Sequence, residues 1–340
     1  VDRRLTVRKT INLALQGGGA HGAFTWGVLD ALLEDGRFDV RGVSGTSAGA
    51  MNAVNFAEGL RKGGAEGAQR QMAAFWKGAS LDGALPEPGR MVFDGMMAFW
   101  SSTPAAMMLQ EAASLFAPAQ LNPMDINPLR DILKRAVNFE ALRASAGPKL
   151  FIAATAVETG KVRVFHREEL TLDMVMASAC LPTVFQAVEI EGEPYWDGGY
   201  MGNPVLFPFF TETDCADIVL VQISPVVRQG TPDTAIEIMS RVDEITFNAP
   251  LLQEFRAIDF VRRLIAQGRL DGTHYKEIRV HLIEAQDALN RFGAASKMKA
   301  DYDFFLELRE IGANAAKRFI TAHFDDIGVR PTLDLQAAIS

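Results

Sequence analysis

Cysteine is nearly absent from this chain. Among 340 residues only Cys180 and Cys215 occur, too few for a disulfide framework and at a spacing that suits no metal. The expectation is a chain from a reducing, cytoplasmic setting. Long apolar runs are missing as well: nothing approaches the roughly 18 apolar residues of a membrane span. The run Thr10–Leu15 is too short and too interrupted for a signal-peptide core. Basic charge is in deficit, with 34 Lys and Arg against 42 Asp and Glu and a net charge of −8. That balance argues against general affinity for nucleic acid and against electrostatic attraction to anionic membranes. There is no internal repeat, low-complexity tract or long charge block. Only five histidines occur, and none sits in a recognisable triad motif.

What is present has the grammar of an α/β protein. An apolar strand, Ile11 to Leu15, runs into Gly17-Gly18-Gly19. The spacing of Phe24, Val28, Leu29, Leu32 and Leu33 then predicts a helix stopped at Asp35-Gly36. A second strand, Val40 to Val43, leads through Gly45-Thr46-Ser47-Ala48-Gly49 into a helix from about Ala50 to Leu60. Two strand–turn–helix units in succession imply a mainly parallel central sheet flanked by helices. Residues 150–156 and 161–165 read as a hairpin around Glu158-Thr159-Gly160. A short helix ends near Leu181-Pro182, a strand pair precedes Asp197-Gly198-Gly199, and Ile218 to Ile223 reads as a buried strand. Beyond residue 233 the pattern turns helical, with one strand-like interruption at Ile278 to Ile283. The expected division is a catalytic α/β body over 1–225 and a helical C-terminal region over 226–340 packed on it.

Three segments carry chemistry. Gly45-Thr46-Ser47-Ala48-Gly49 is a G-x-S-x-G between strand and helix, which puts Ser47 on a sharp turn with its hydroxyl exposed. Gly45 and Gly49 relieve crowding there, and the helix that follows turns its partially positive end toward the serine. Gly17-Gly18-Gly19-Ala20-His21-Gly22 sits in the same strand-to-helix context. A dinucleotide loop expects an acidic residue closing the second strand, and Asp39 precedes its strand instead. There is no Walker lysine either. With a serine on the next strand–helix turn, amides of Gly17, Gly18, Gly19 and Ala20 converging on an oxyanion are the better reading. Asp197-Gly198-Gly199 by itself is often only a turn, but with no histidine in a triad motif a carboxylate acting directly on the serine proton, which would need no histidine, becomes a candidate. His281 and His323 read as structural, and His166 stands out only because it ends a strand.

Gly17-Gly18-Gly19-Ala20-His21-Gly22, Gly45-Thr46-Ser47-Ala48-Gly49, Ala177-Ser178-Ala179-Cys180-Leu181-Pro182 and Asp197-Gly198-Gly199 occur in the order found in patatin-like phospholipases, and the resemblance covers roughly residues 10–225. It implies a patatin-like three-layer fold related to the α/β hydrolases and a Ser47–Asp197 dyad with the glycine loop as oxyanion hole. The activity implied is hydrolysis of lipid acyl esters of phospholipase A, lysophospholipase or carboxylesterase type, without metal or cofactor. The sequence departs from the family at His21, where arginine or lysine is usual. Either His21 is a protonated surrogate for that charge or it shapes the loop, and shaping is the favoured reading.

The remaining expectations concern substrate and partners. The segment 91–121 holds five methionines and four large aromatic residues with only Asp94 and Glu111 charged. It reads either as core helices or as an insertion that lines an acyl-chain pocket or meets lipid through apolar contact. Ala177–Pro182 reads as close packing beside the nucleophile's turn. Asn203-Pro204 is either an ordinary turn or a support for the aspartate loop. The C-terminal helices would serve packing or self-association as a homodimer, and Arg262-Arg263 a solvated face. Two alternatives to hydrolysis stay open: acyl transfer to an acceptor other than water, and lipid binding by a catalytically weak scaffold.

Overall fold

The computed structural model describes residues 7–80, 125, 127–272, 274–292 and 294–340. The expectations for the apolar segment 91–121 lie outside the described residues. Strand β1 (Lys9–Leu15) is followed by α1 (Gly22–Asp35), β2 (Phe38–Gly45) and α2 (Ala48–Gly78). The first helix stops where the sequence predicts, at a left-handed Gly36 with φ 70°. The second runs a full hairpin further than its sequence suggests. Its path breaks at Gly63-Gly64, and the chain resumes as a helix folded back on the first half, which leaves Gly59 against Gly67 and Ala68.

Next come α3 (Pro128–Ala136), α4 (Phe139–Ala144), β3 (Lys149–Ala156), β4 (Val162–His166), α5 (Leu172–Ser178), β5 (Val188–Ile190) and β6 (Glu193–Asp197). The chain ends with α6 (Pro208–Thr211), β7 (Asp217–Val221), α7 (Ala235–Ala266), β8 (Arg279–Ile283), α8 (Gln286–Leu289), α9 (Tyr302–His323) and α10 (Leu335–Ile339). β8, β7, β1, β2 and β3 form the parallel part of the sheet, and β4, β5 and β6 join it antiparallel.

Alternation along the central strands explains the layers. Ile11, Leu13 and Leu15 of β1, Leu150 and Ile152 of β3, and Val219 and Val221 of β7 face one core, shared with α1, α2 and α9. Ala14, Phe151, Ala153, Ile218 and Leu220 face the other, which α7 closes with Leu251, Phe255 and Ile258. The sheet is therefore covered on both faces, as the fold class requires.

The C-terminal region does more than pack on the body. β8 pairs along the whole of β7, from Asp217↔Arg279 to Val221↔Ile283. Buried Asp217 fastens the two strands, accepting from Arg279 at 2.9 and 2.7 Å, from His281 Nε2 at 2.9 Å and from the Gly328 amide at 2.9 Å. The boundary expected near residue 225 marks a change in sequence pattern that falls inside one sheet.

Candidate active site

The site lies at the carboxyl ends of β1 and β2. β1 sits between β2 and β7, so connections leave it in opposite directions, and the crevice at such a reversal is where open α/β sheets bind ligands. Directly after β1 comes Gln16, fully buried. Its Oε1 accepts the amides of Ile223 (2.9 Å) and Ser224 (2.8 Å), and its Nε2 donates to Asn248 Oδ1 (2.9 Å) and the Asn203 carbonyl (3.3 Å). This one carboxamide joins the ends of β1 and β7, the aspartate loop and α7. The sequence reading missed it, because an isolated glutamine after a strand has no periodic signature.

Of the four amides expected to face an oxyanion, Gly17 is already engaged: its N–H donates to Asn203 Oδ1 at 2.6 Å. The N–H groups of Gly18, Gly19 and Ala20 meet no acceptor among the described residues. Asn203 thus serves the glycine loop rather than orienting Asp197. Gly19 has to be glycine twice over: its φ is 59°, and a Cβ would collide with the carbonyl of Lys297. At Gly22 a Cβ would come within 2.7 Å of the Ala48 side chain, so the first turns of α1 and α2 touch there.

Ser47 is the N-cap of α2, with φ 55° and ψ −122°. For a residue with a Cβ that conformation costs about 1–3 kcal/mol and persists only where its surroundings enforce it. The enforcement is visible. A side chain at Gly45 would strike the Gly49 carbonyl, and one at Gly49 would strike the Leu15 carbonyl. The Thr46 hydroxyl donates to the Gly202 carbonyl at 2.6 Å, and the Ser47 amide donates to Ser178 Oγ at 3.0 Å.

Asp197 reaches the same place from the opposite direction. β2 pairs with the first half of β3, Gly42–Gly45 against Lys149–Ile152, and β6 with its second half, Asp197 opposite Ala154. β4 occupies the other edge of β3, so β2 and β6 meet end to end. Gly198 consequently sits where a Cβ would collide with the Ala153 carbonyl and lie 3.0 Å from the Thr46 side chain. Gly199 is likewise closed in, by the ring of Phe247.

The Asp197 carboxyl is completely buried. Oδ1 accepts the Gly199 amide at 2.8 Å. Oδ2 accepts no hydrogen bond of ordinary geometry, although the Ser47 hydroxyl is near enough to draw the pKa downward. Burial outweighs both influences and raises the pKa to about 7.

His21 is buried, with Nε2 2.8 Å from Ser296 Oγ and its ring 6.1 and 6.2 Å from those of Phe292 and Phe304. Burial first, and the charge of Lys297 second, lower its pKa to about 4. The imidazole is therefore neutral near pH 7, which supports the loop-shaping reading over the charged one. The other histidines have acidic neighbours elsewhere: His166 with Glu212 and Glu169, His274 with Asp271, His281 with Asp217 and His323 with Asp326. Arg262 and Arg263 face Glu277 and Asp259.

A family model described as "Patatin-like phospholipase" matches residues 13–210, which takes in the glycine loop, the Ser47 turn and Asp197. Among solved structures, VipD from Legionella pneumophila is similar over 89% of this chain and 67% of its own, at 17% identity and a TM-score of 0.37. No curated protein matches.

Proposed function

Since the chain belongs to the patatin-like phospholipase family, and so to the lipid acyl hydrolases, we propose that it hydrolyses lipid acyl esters through Ser47 as nucleophile and Asp197 as its base. The observation that carries this reading is the carboxyl of Asp197, wholly buried and with one oxygen unengaged beside the Ser47 hydroxyl. A base with a pKa near 7 combines a usable fraction of carboxylate with a strong pull on the proton.

The steps follow from that pair. Asp197 Oδ2 takes the hydroxyl proton as Ser47 Oγ attacks the ester carbonyl. The oxyanion develops against the free amides of Gly18, Gly19 and Ala20, with the N-terminus of α2 adding its positive end. The tetrahedral species collapses, and the alcohol or lysolipid leaves with the proton from Asp197. Water then attacks the acyl-serine while Asp197 accepts its proton, and the fatty acid departs with Ser47 restored. Gly17 acts at one remove, fixed by Asn203 so that the next three amides stay free. Gly22, Gly45, Gly49, Gly198 and Gly199 permit the close approaches that assemble the site, and His21 fills the space behind the loop.

The substrate class is a lipid or fatty-acyl ester. Apolar contact with a membrane surface is compatible with the exposed Ile238, Met239, Val242 and Ile245 of α7. Among the described residues no helix is long and apolar enough to cross a membrane.

The test combines fluorophosphonate labelling with hydrolysis of p-nitrophenyl esters of graded chain length. Ser47→Ala abolishes both signals. Asp197→Asn lowers kcat by on the order of 10³-fold or more, because an amide cannot take the proton. Labelling that survives in Ser47→Ala moves the nucleophile elsewhere. A histidine variant as damaging as Asp197→Asn replaces the dyad with a triad. Acyl transfer to added alcohols in preference to water assigns the same acyl-serine to a transferase.

A further inference from the structure

The segment Ala177–Pro182 was expected only to pack closely, yet it holds both partners of the dyad by their backbones. Ser178, the last residue of α5 and fully buried, accepts the Ser47 amide on its Oγ at 3.0 Å. Two residues on, the Cys180 carbonyl accepts the Asp197 amide at 2.8 Å. On its far side Asp197 is tied to β3, its carbonyl accepting the Thr155 hydroxyl at 2.8 Å. The nucleophile and the base arrive on β2 and β6, strands that share no hydrogen-bonded pairs with each other. Besides their common neighbour β3 and the bond from the Thr46 hydroxyl to the Gly202 carbonyl, the turn 178–180 is a short covalent path that fixes one against the other.

We propose that Ser178 is a positioning residue: its hydroxyl anchors the strained Ser47 turn to the turn that holds Asp197, and so sets the approach of the serine hydroxyl to the carboxylate. The proposal rests on the Ser47–Asp197 reading. The Ser47 amide belongs to a residue held at φ 55°, and a part-buried amide deprived of its acceptor favours any relaxation that finds another. Loss of the Ser178 hydroxyl frees that turn without touching the reacting atoms. The effect falls on the chemical step rather than on substrate capture, because displacement of about 1 Å at such a site slows the reaction by on the order of 10²-fold.

The experiment measures kcat and KM for a p-nitrophenyl ester, the rate of fluorophosphonate labelling, and the thermal midpoint, in Ser178→Ala, Ser178→Thr and Met176→Ala. Met176 is buried on the same helix but has no bond to either dyad residue. Ser178→Ala lowers kcat and the labelling rate together, by about 10- to 100-fold, with KM within about twofold of wild type. Ser178→Thr, which keeps the hydroxyl, recovers most of that loss. Met176→Ala lowers the thermal midpoint and leaves kcat per folded enzyme near wild type. The proposal is overturned if Ser178→Ala keeps kcat within about twofold, if Thr is no better than Ala, or if Met176→Ala slows kcat as deeply. Ser47→Ala and Asp197→Asn run alongside: activity retained in either shows that the dyad reading has failed, whereas their inactivity beside an active Ser178→Ala removes the positioning role alone.

Discussion

Asp197 combines two demands that pull against each other. In the proposed mechanism its carboxyl has to ionise to take a proton from Ser47, and it is buried where ionisation is costly. On that mechanism activity requires the carboxylate, so kcat/KM is expected to rise with pH through a midpoint near 7, the folded value. Stability moves the other way. The folded protein holds this proton more tightly than the unfolded chain, so between the ordinary carboxylate value and about 7 each rise in pH removes stability. Asp197→Asn is consequently inactive yet more heat-stable than wild type at pH 8, by on the order of a few kcal/mol. A thermal midpoint unchanged or lower there contradicts the buried, uncompensated carboxylate. His21 gives the complementary case. With its pKa lowered to about 4, it stays neutral throughout an assay from about pH 5 to 9. His21→Arg therefore rescues nothing at alkaline pH, and it places a guanidinium beside Phe292 and Phe304 at a cost of about 2 kcal/mol or more. An alkaline loss in wild type that the arginine repairs is the opposing result.

At the scale of elements, the site depends on how tightly α1 is held, because the glycine loop runs directly into it. α1 and α9 touch backbone to backbone through a reciprocal pair of glycines. A Cβ at Gly27 would collide with the Arg309 carbonyl, and one at Gly312 with the Phe24 carbonyl. Arg309 secures the crossing from its edge, its guanidinium bonded to buried Asp30 at 2.8 and 2.7 Å and lying over Trp26 at 4.8 Å. Gly27→Val must therefore push the two helices apart, at about 3 kcal/mol or more. Urea unfolding that matches wild type within about 0.5 kcal/mol contradicts so close a crossing. The same substitution lowers kcat, since α1 carries the end of the loop at Gly22.

For the whole molecule, the decisive relation is between the two halves of the chain. Residues 1–225 contain the proposed dyad and the glycine loop, but one face of their sheet is covered by Leu251, Phe255 and Ile258 of α7. Removing residues 226–340 uncovers Phe151, Ala153, Ile218 and Leu220, and each large apolar side chain so exposed forfeits roughly 1.5–3 kcal/mol. It also takes away β8, leaving Asp217 without Arg279 and His281, together with Asn248 and the turn carrying Lys297 that touch the active-site loops. A chain ending at residue 225 therefore goes to the insoluble fraction on expression, without esterase activity. A soluble fragment that unfolds cooperatively and hydrolyses esters restores the boundary at 225.

What the sequence alone determined was local. Strand-then-glycine and strand-then-serine fix where β1 and β2 stop. Gly36 ends α1, and the unbroken apolar runs Leu13-Ala14-Leu15 and Phe151-Ile152-Ala153 suit strands covered on both faces. Each of these depends on residues within a few positions of one another, which is the range over which periodicity and turn chemistry act. The tertiary structure alone decided which donors and acceptors meet: Asn203 on Gly17, Ser178 on Ser47, Gln16 on Asn248. Those pairs lie between 131 and 232 residues apart, and a single polar side chain in a loop carries no mark of a distant partner. The same holds for the protonation of His21 and Asp197. Burial sets both, and burial is a property of the closed fold, completed by helices and a turn from the far end of the chain.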